Sequence, residues 1–435
     1  MDSEGPGALA CFSACRLDPR ARINSPMLLQ HLSLTNVRNF IRLETEVLSG
    51  TTLIVGANAQ GKTSLLEAVY YLARVSSPHA QSDRQLINFL ALREAAPFAR
   101  LVAEFRRADR PQRVEIRLVL EPGNASSEPR LHREVLLNGV RRRVSDLAGG
   151  LHAVLFLPQD LRVLEGPPSE RRQHLDSSLA QADAAYAEAL SEYGKVLAQR
   201  NALLKQLGEQ GNQTSQLSFW DEELAEHGAT LIRSRALALA EHDRLAAPIH
   251  HDLTRGRETL HLEYLPSFDP LPPAAQLGLP LQAAPDRTVI SRQAIRDGLL
   301  RAFEEQRPED LARGSTSVGP HRDDFRFTSN GIDLRAYGSR GQNRTAMLAL
   351  KLAEVEWLHQ RTSEWPVLLL DEVLAELDGE RRQDLLHRVT NLPQAMVTTA
   401  DVEMFDEGFR QQARVWEVAA GELRPLRAEH PRDAA

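Results

Sequence analysis

Gly56-Ala57-Asn58-Ala59-Gln60-Gly61-Lys62-Thr63 decides how this chain folds. An apolar run, Thr51 to Val55, precedes it, and Leu65, Leu66, Ala68, Val69 and Leu72 follow at helical spacing. Strand, glycine loop and helix in that order make a P-loop, GxxxxGK[ST]. With 25 glycines and four lysines in 435 residues, a chance match is about one in a thousand. Glycine lets backbone N–H groups turn toward phosphate oxygens, and the helix N-terminus adds a favourable dipole. The residues from Gly56 to Ser64 are therefore the candidate ATP contacts. Lys62 is expected to reach the β- and γ-phosphates and Thr63 to ligate Mg²⁺.

Such a loop needs a distant acid. Val367-Leu368-Leu369-Leu370 is a second buried strand, ended by Asp371-Glu372. Asp371 is expected to hold Mg²⁺, directly or through water, and Glu372 to polarise the attacking water. Taken alone, the acids also read as a helix N-cap after a core strand. Lys62 and Asp371 lie 309 residues apart, more than one compact nucleotide-binding core spans without an insertion.

The insertion is visible. From about residue 170 to 260 helix formers dominate, with Leu203, Leu204 and Leu207, then Leu224, Leu231 and Ile232, at heptad-like spacing. Gly208 to Ser218 breaks them into two helices. The expected division is a disordered extension over 1–26, ATPase segments over 27–172 and 313–425, an inserted helical arm over 173–312, and a tail over 426–435. Met27 reads as the start of the folded part. Strands are expected at Phe98–Phe105, Val114–Leu120, Arg133–Leu137, Ala153–Leu157 and Ala395–Thr398, and a hairpin through Asp324–Phe327 and Ile332–Ala336. Helices are expected at Arg292–Glu305, Gln342–His359 and Asp378–Val389, and a proline-rich loop over 265–286.

Tyr337-Gly338-Ser339-Arg340-Gly341-Gln342 opens one of those helices and resembles the signature loop of ABC ATPases. A serine hydroxyl and N–H groups at a helix N-terminus make an anion site; an ordinary N-cap is the other reading. Because the chain already has a P-loop, a second phosphate site points to composite pockets. Ser339, Gly341 and Gln342 of one copy would face the γ-phosphate held by Lys62 of another. That implies a head-to-tail homodimer, formed only with ATP. Ala375-Glu376-Leu377-Asp378 resembles the D-loop, with Asp378 at the seam. Gln159 occupies the Q-loop position, as a catalytic and Mg²⁺-binding candidate, and Thr398-Thr399 the switch position, with Thr399 as the candidate.

Net charge is −7, which argues against coating nucleic acid through bulk charge but leaves room for a local basic stripe. Between Arg100 and Arg143, eleven arginines face six acids. Arg141-Arg142-Arg143, just after the Asn138-Gly139 turn, is the DNA-binding candidate; solvated strand faces are the alternative. The two cysteines, Cys11 and Cys15, exclude a disulfide framework. No run of 18 apolar residues and no secretory signal occurs, so a cytoplasmic setting is expected.

Leu34-Thr35-Asn36-Val37-Arg38-Asn39-Phe40, Phe156 to Leu161, Gly166 to Asp176 and Gly319-Pro320-His321-Arg322-Asp323-Asp324 make the chain closely similar to the RecF family, bacterial recombination mediators related to SMC heads. The likeness runs from Met27 to about Gly421. It implies an α/β, ABC-type (SMC-head-like) P-loop ATPase with an inserted helical arm, dimerising on DNA with ATP. It also implies slow, DNA-stimulated hydrolysis, and RecA loading with RecO and RecR at gaps, junctions and stalled forks. Arg38 and Asn39 join the nucleotide contacts on that likeness. Ala59, Gln159 and Ala375 depart from common forms of the motifs, and residues 1–26 have no counterpart. A transporter ATPase subunit would need a shorter spacing between P-loop and acid, and a His switch. Another SMC-like repair ATPase would carry longer coiled coils or a further acidic cluster.

Overall fold

The computed structural model describes residues 26–121, 129–147, 150–210, 214–271 and 285–426. The expected disordered extension, both cysteines, nearly all of the C-terminal tail and most of the 265–286 loop lie outside these residues. So does the centre of the break at 208–218.

The first half of the chain builds an antiparallel sheet from β1 (Leu28–Val37), β2 (Phe40–Glu46), β4 (Phe98–Arg107), β5 (Arg110–Glu121), β6 (Arg130–Leu137) and β7 (Val140–Arg141), ordered β2-β1-β4-β5-β6-β7. A second sheet contains β3 (Gly50–Val55), β8 (Ala153–Phe156), β12 (Val367–Asp371), β13 (Gln394–Thr399), β14 (Arg414–Ala419) and β15 (Glu422–Pro425). Its order is β15-β14-β3-β13-β12-β8, parallel except for the β14–β15 hairpin.

The near-continuous apolar runs of β3 and β12 follow from burial on both faces. Ile54, Leu369 and Met396 enter one core with the antiparallel sheet and α1 (Lys62–Arg74). Leu53, Leu368, Leu370 and Val397, at the alternate positions, enter the other core. That second core takes in α3 (Pro168–Ala182), α4 (Ala184–Gln210), α5 (Leu217–Leu253), α6 (Arg292–Arg313) and α8 (Arg340–Thr362). A short α2 (Leu161–Glu165) follows β8, and α9 (Gly379–Thr390) and α10 (Glu407–Gln412) flank β13.

Two expectations change. The stretch expected to be a helical arm also holds β9 (Leu260–Leu265), where Leu260, Leu262 and Tyr264 alternate inward. It pairs antiparallel with β10 (Asp324–Ser329), which also pairs with β11 (Ile332–Asp333). The hairpin's second strand stops at Asp333, because its carboxylate accepts from the Arg335 N–H at 2.8 Å and caps α7 (Leu334–Tyr337).

The Gly319–Asp324 stretch ties these layers together. Arg171 makes a bidentate pair with Asp324, at 2.6 and 2.9 Å. Arg235, buried on α5, bonds Asp176 and the Pro320 carbonyl. Asp323 accepts from Tyr264 and from the Ser267 N–H.

Candidate functional site

The parallel sheet brings four strand ends to one edge. Val55 pairs in register with Thr399, Thr398 with Asp371, and Leu370 with Phe156. Ligands of open parallel sheets lie outside such carboxyl ends.

The 56–61 loop leaves β3 here and turns into α1. Gly61 has φ 118°, and a Cβ on Gly56 would lie 2.4 Å from the Val418 carbonyl oxygen, so both outer glycines are demanded by the backbone. Neighbouring turns brace the loop. Asn39 Nδ2 donates to Ala59 O at 3.1 Å and Ser64 Oγ to Asn39 Oδ1 at 3.3 Å; the Ala420 N–H donates to Gln60 Oε1 at 2.7 Å.

Lys62 is only 4% exposed. Its ammonium donates to Gly56 O at 2.8 Å and Ala57 O at 3.1 Å, and lies 2.9 Å from Glu372 Oε1. Asn58 Oδ1 is 3.5 Å away. Thr63 Oγ1 donates to Asp371 Oδ2 at 2.8 Å. Residues 308 apart in sequence thus share one hydrogen bond at the mouth of the sheet. The chain turns sharply at Glu372, φ 53°, a left-handed conformation that non-glycine residues adopt at a cost of about 1 kcal/mol or more. That turn lets adjacent acids serve Thr63 and Lys62 separately.

Asp371 has a second hydroxyl partner that the sequence reading did not single out. Thr398 Oγ1 donates to Asp371 Oδ1 at 2.7 Å and accepts from the Glu372 N–H at 3.0 Å. Successive side chains of a strand face opposite ways, so the hydroxyl of Thr399 goes elsewhere. It donates to Asp401 O at 2.9 Å and accepts from the Asp401 N–H at 3.1 Å. The hydroxyl that meets Asp371 and the Glu372 N–H is thus that of Thr398, and the hydroxyl of Thr399, the switch candidate, bonds the turn that follows it.

Gln159 sits in a single 3₁₀ turn, Pro158–Asp160, directly after β8. Its exposed amide is 3.0 Å from Nδ1 of His79, a residue with no motif to announce it. Arg38 is held by Glu67 of α1 through two 2.8 Å bonds, and Ser77 Oγ donates to the same carboxylate.

Ser339, Gly341 and Gln342 lie at the N-terminus of α8. Ser339 Oγ accepts from the Gln342 N–H at 3.2 Å, and the Ser339 N–H donates to Gln342 Oε1 at 3.0 Å, a capping box. Gln342 Nε2 also donates to Glu258 at 3.2 Å. Asp378 caps α9, accepting from the Arg381 N–H at 2.9 Å; with the Arg381 guanidinium this holds its carboxyl below the usual range. Both caps are solvent-facing.

Six of the eleven arginines between 100 and 143 are engaged in ion pairs, four of them within the antiparallel sheet. Glu115 meets Arg100, Arg113 and Arg117 at 2.8, 3.3 and 2.7 Å. Hydrogen bonds from Arg100, joined by Arg117 and opposed by burial, hold the Glu115 carboxyl down to about 2. Arg133 pairs with Asp83, Arg107 with Glu364, and Arg141, more loosely at 3.7 Å, with Glu134. The guanidinium groups of Arg142 and Arg143 have no ion-pair partner among the described residues, and both residues are exposed; the Arg143 backbone N–H donates to Asp146 at 3.2 Å. Among those residues no helix is long and apolar enough to cross a membrane.

Known proteins resemble this chain in sequence and fold. The family described as RecF/RecN/SMC N terminal domain matches residues 28–423. The DNA replication and repair protein RecF of Chloroflexus aurantiacus is 40% identical over 91% of this chain and 99% of its own length. That of Shouchella clausii is 34% identical over 92% of this chain and all of its own. A solved structure of the recombination mediator protein RecF with ATP in the RecFOR pathway superposes with a TM-score of 0.78 and 29% identity, covering 94% of this chain and all of that one. The ATPrS form gives 0.77 and 30% over 92% and 99%. Across its folded length, then, the chain belongs to the RecF family of DNA replication and repair proteins, with the ABC-type, SMC-head-like α/β fold.

Proposed function

We propose that this chain is an ATP-dependent DNA-binding protein of recombinational repair. ATP binding closes two copies head to tail on DNA, and slow, DNA-stimulated hydrolysis resets them. The observation that carries this reading is the convergence of Lys62, Thr63, Asp371 and Glu372, with the 2.8 Å Thr63–Asp371 bond and the 2.9 Å Lys62–Glu372 pair. In this reading the triphosphate lies against the N–H groups of residues 56–64, and its β- and γ-oxygens replace Glu372 as the counter-charge of Lys62. Glu372, released, orients the attacking water and accepts its proton. Asn39 and Arg38 border the loop and hold its flank.

The hydroxyl of Thr63 and the carboxylate of Asp371 are hard oxygen donors that fit Mg²⁺, with Gln159 as a further ligand. The ion would neutralise charge on the β- and γ-phosphates. Ser339, Gly341, Gln342 and Asp378 of the second copy complete the pocket, a role supported by the exposure of Ser339, Gly341 and Asp378 at two helix N-termini. The exposed Arg142 and Arg143, with Arg141 beside them, are the proposed DNA contacts. The relatives' role as RecF, and a structure placed in the RecFOR pathway, support work with RecO and RecR in loading RecA in the cytoplasm. The working division is an ATPase of residues 27–172 and 313–425 around an arm of 173–312.

Sedimentation with and without ATP, repeated with duplex DNA, tests the proposal. The wild type should shift from monomer to dimer with ATP. Lys62→Met should abolish the shift; dimers persisting in that variant would overturn the assignment of the loop.

A further inference from the structure

Only four lysines stand beside 48 arginines in this chain. Lys195 is exposed and paired with Glu192, and Lys205 is exposed. The other two are buried, Lys62 at 4% and Lys351 at 6% exposure. Lys62 belongs to the nucleotide loop; the proposed cycle gives Lys351 no task.

Lys351 lies on α8, twelve residues beyond Ser339, about 18 Å along the helix axis. Its ammonium donates to Leu155 O, near the end of β8, at 2.8 Å. Asp160 Oδ2 is 3.3 Å away and Glu354 Oε2 3.9 Å away. The same Asp160 oxygen accepts from the Leu157 N–H at 2.9 Å, and the Asp160 N–H donates to Leu157 O at 3.0 Å. Those two bonds close the turn whose middle residue is Gln159. The Leu155 carbonyl and Asp160 thus lie within reach of the ammonium and Glu354 adds a second carboxylate at longer range, a setting for a compact cation that the larger planar guanidinium does not share.

We propose that Lys351 is a positioning residue: it latches the Gln159 turn to α8, so that what Ser339 meets at the tip of the helix sets Gln159 at the chain's own nucleotide. The inference rests on the proposed sandwich of two nucleotides between two copies. A merely structural account leaves the charges unexplained. Beyond Glu354 and its neighbour His174, the surrounding core is apolar, with Phe156, Leu348, Leu352 and Leu370 buried in it, and a hydrophobic pair in place of Lys351 and Asp160 would pack there. A buried ion pair instead fixes one geometry of turn against helix. Because α8 is a continuous helix from Ser339's cap through Lys351, displacement of its N-terminus reaches Asp160 without an intervening joint.

Two experiments test the latch. Lys351→Met/Asp160→Asn removes the ammonium and the nearer carboxylate at similar volume and leaves Glu354 beside His174, 3.7 Å away. The double variant should fold and bind ATP with an affinity within about twofold of wild type, yet turn over at least tenfold more slowly. A folded double variant with wild-type turnover overturns the proposal. Hydrogen exchange gives a readout that needs no buried substitution. In the full chain ATP should slow exchange at residues 157–161, and in Ser339→Ala, which loses the capping hydroxyl at the tip of α8, that protection should be lost. Equal protection in both proteins also overturns it. The nucleotide-free double variant should exchange the Asp160 amide at least tenfold faster than wild type, and an unchanged rate refutes the latch whatever ATP does. A wild type that neither dimerises nor hydrolyses ATP would defeat the underlying function instead.

Discussion

Lys62 and Glu372 neutralise one another across the loop, and this pair sets the behaviour of the nucleotide-free site. Glu372→Gln should still bind ATP and dimerise, while turnover falls at least 100-fold; normal hydrolysis in a rapid-quench assay would place the base elsewhere. Thr398 gives the adjacent test. Thr398→Val deprives one Asp371 oxygen of its donor and the Glu372 N–H of its acceptor, costing about 1–3 kcal/mol in chemical denaturation. It should also lower turnover more than Thr399→Val, whose hydroxyl serves only the following turn. His321 brings pH into the balance. Its ring lies between the Tyr193 hydroxyl at 2.7 Å and Thr316 O at 3.1 Å, and burial, with nearby arginines adding to it, pushes it down to about 4. The unfolded chain takes up that proton near pH 6.5, the folded chain only near 4. The stabilisation is complete above pH 6.5 and is lost as pH falls toward 4. His321→Gln should remove on the order of 2–3 kcal/mol of the acid-side slope, measured by urea unfolding at pH 7 and pH 4.5.

Among the elements, α8 carries the most varied load. It begins at the Ser339 capping box, holds Lys351 against Asp160, and packs its apolar face on α5 and the parallel sheet. Gly338 sets its entry. A Cβ there would meet Asn343 Oδ1 at 2.2 Å and Leu334 O at 2.4 Å, and α7 would have to shift to admit it. Gly338→Ala should lower stability by about 1–3 kcal/mol in thermal melts, although the residue lies on the surface. Ser339→Ala should cost about 1 kcal/mol as a lost cap, and in the proposed function also abolish ATP-driven dimerisation. Separating those effects distinguishes a helix cap from a nucleotide contact. β9 was hidden for a related reason. Leu260, Leu262 and Tyr264 alternate, but the partner strand lies some 60 residues on, and only tertiary pairing turns the alternation into a sheet.

At the scale of the molecule, the net charge of −7 coexists with a sheet bearing many arginines. Glu115 and its neighbours neutralise part of that surface by pairing within the sheet, which leaves Arg142 and Arg143, with Arg110 and Arg130, as exposed arginines without a carboxylate partner among the described residues. If those groups hold DNA, Arg142→Ala/Arg143→Ala should reduce the salt dependence of binding by about two ions per protomer. Arg100→Ala should leave that slope unchanged while loosening the sheet. An identical slope in the double variant would send the DNA contacts elsewhere. In the proposed function a single net-negative copy would grip DNA weakly, and pairing through ATP would double the surface, which suits a clamp governed by nucleotide.

The glycine loop before α1, the strand ending at Asp371-Glu372 and the helix opening at Ser339 were legible because each is local, a few consecutive residues whose types and spacing follow from backbone, strand and helix-cap chemistry. So was the inserted arm, from the span between Lys62 and Asp371. The resemblance in Gly319–Asp324 was legible too, but its work was not, because Arg171, Arg235 and Tyr264 reach it from three distant elements. Likewise only the register of β12 with β13 places Thr398 rather than Thr399 on Asp371. Only packing brings His79 to Gln159 and Lys351 to Asp160. Local chemistry leaves its mark in consecutive residues. Which hydroxyl, ring or ammonium meets it is decided by strand facing and helix placement, quantities that exist only once the chain has closed on itself.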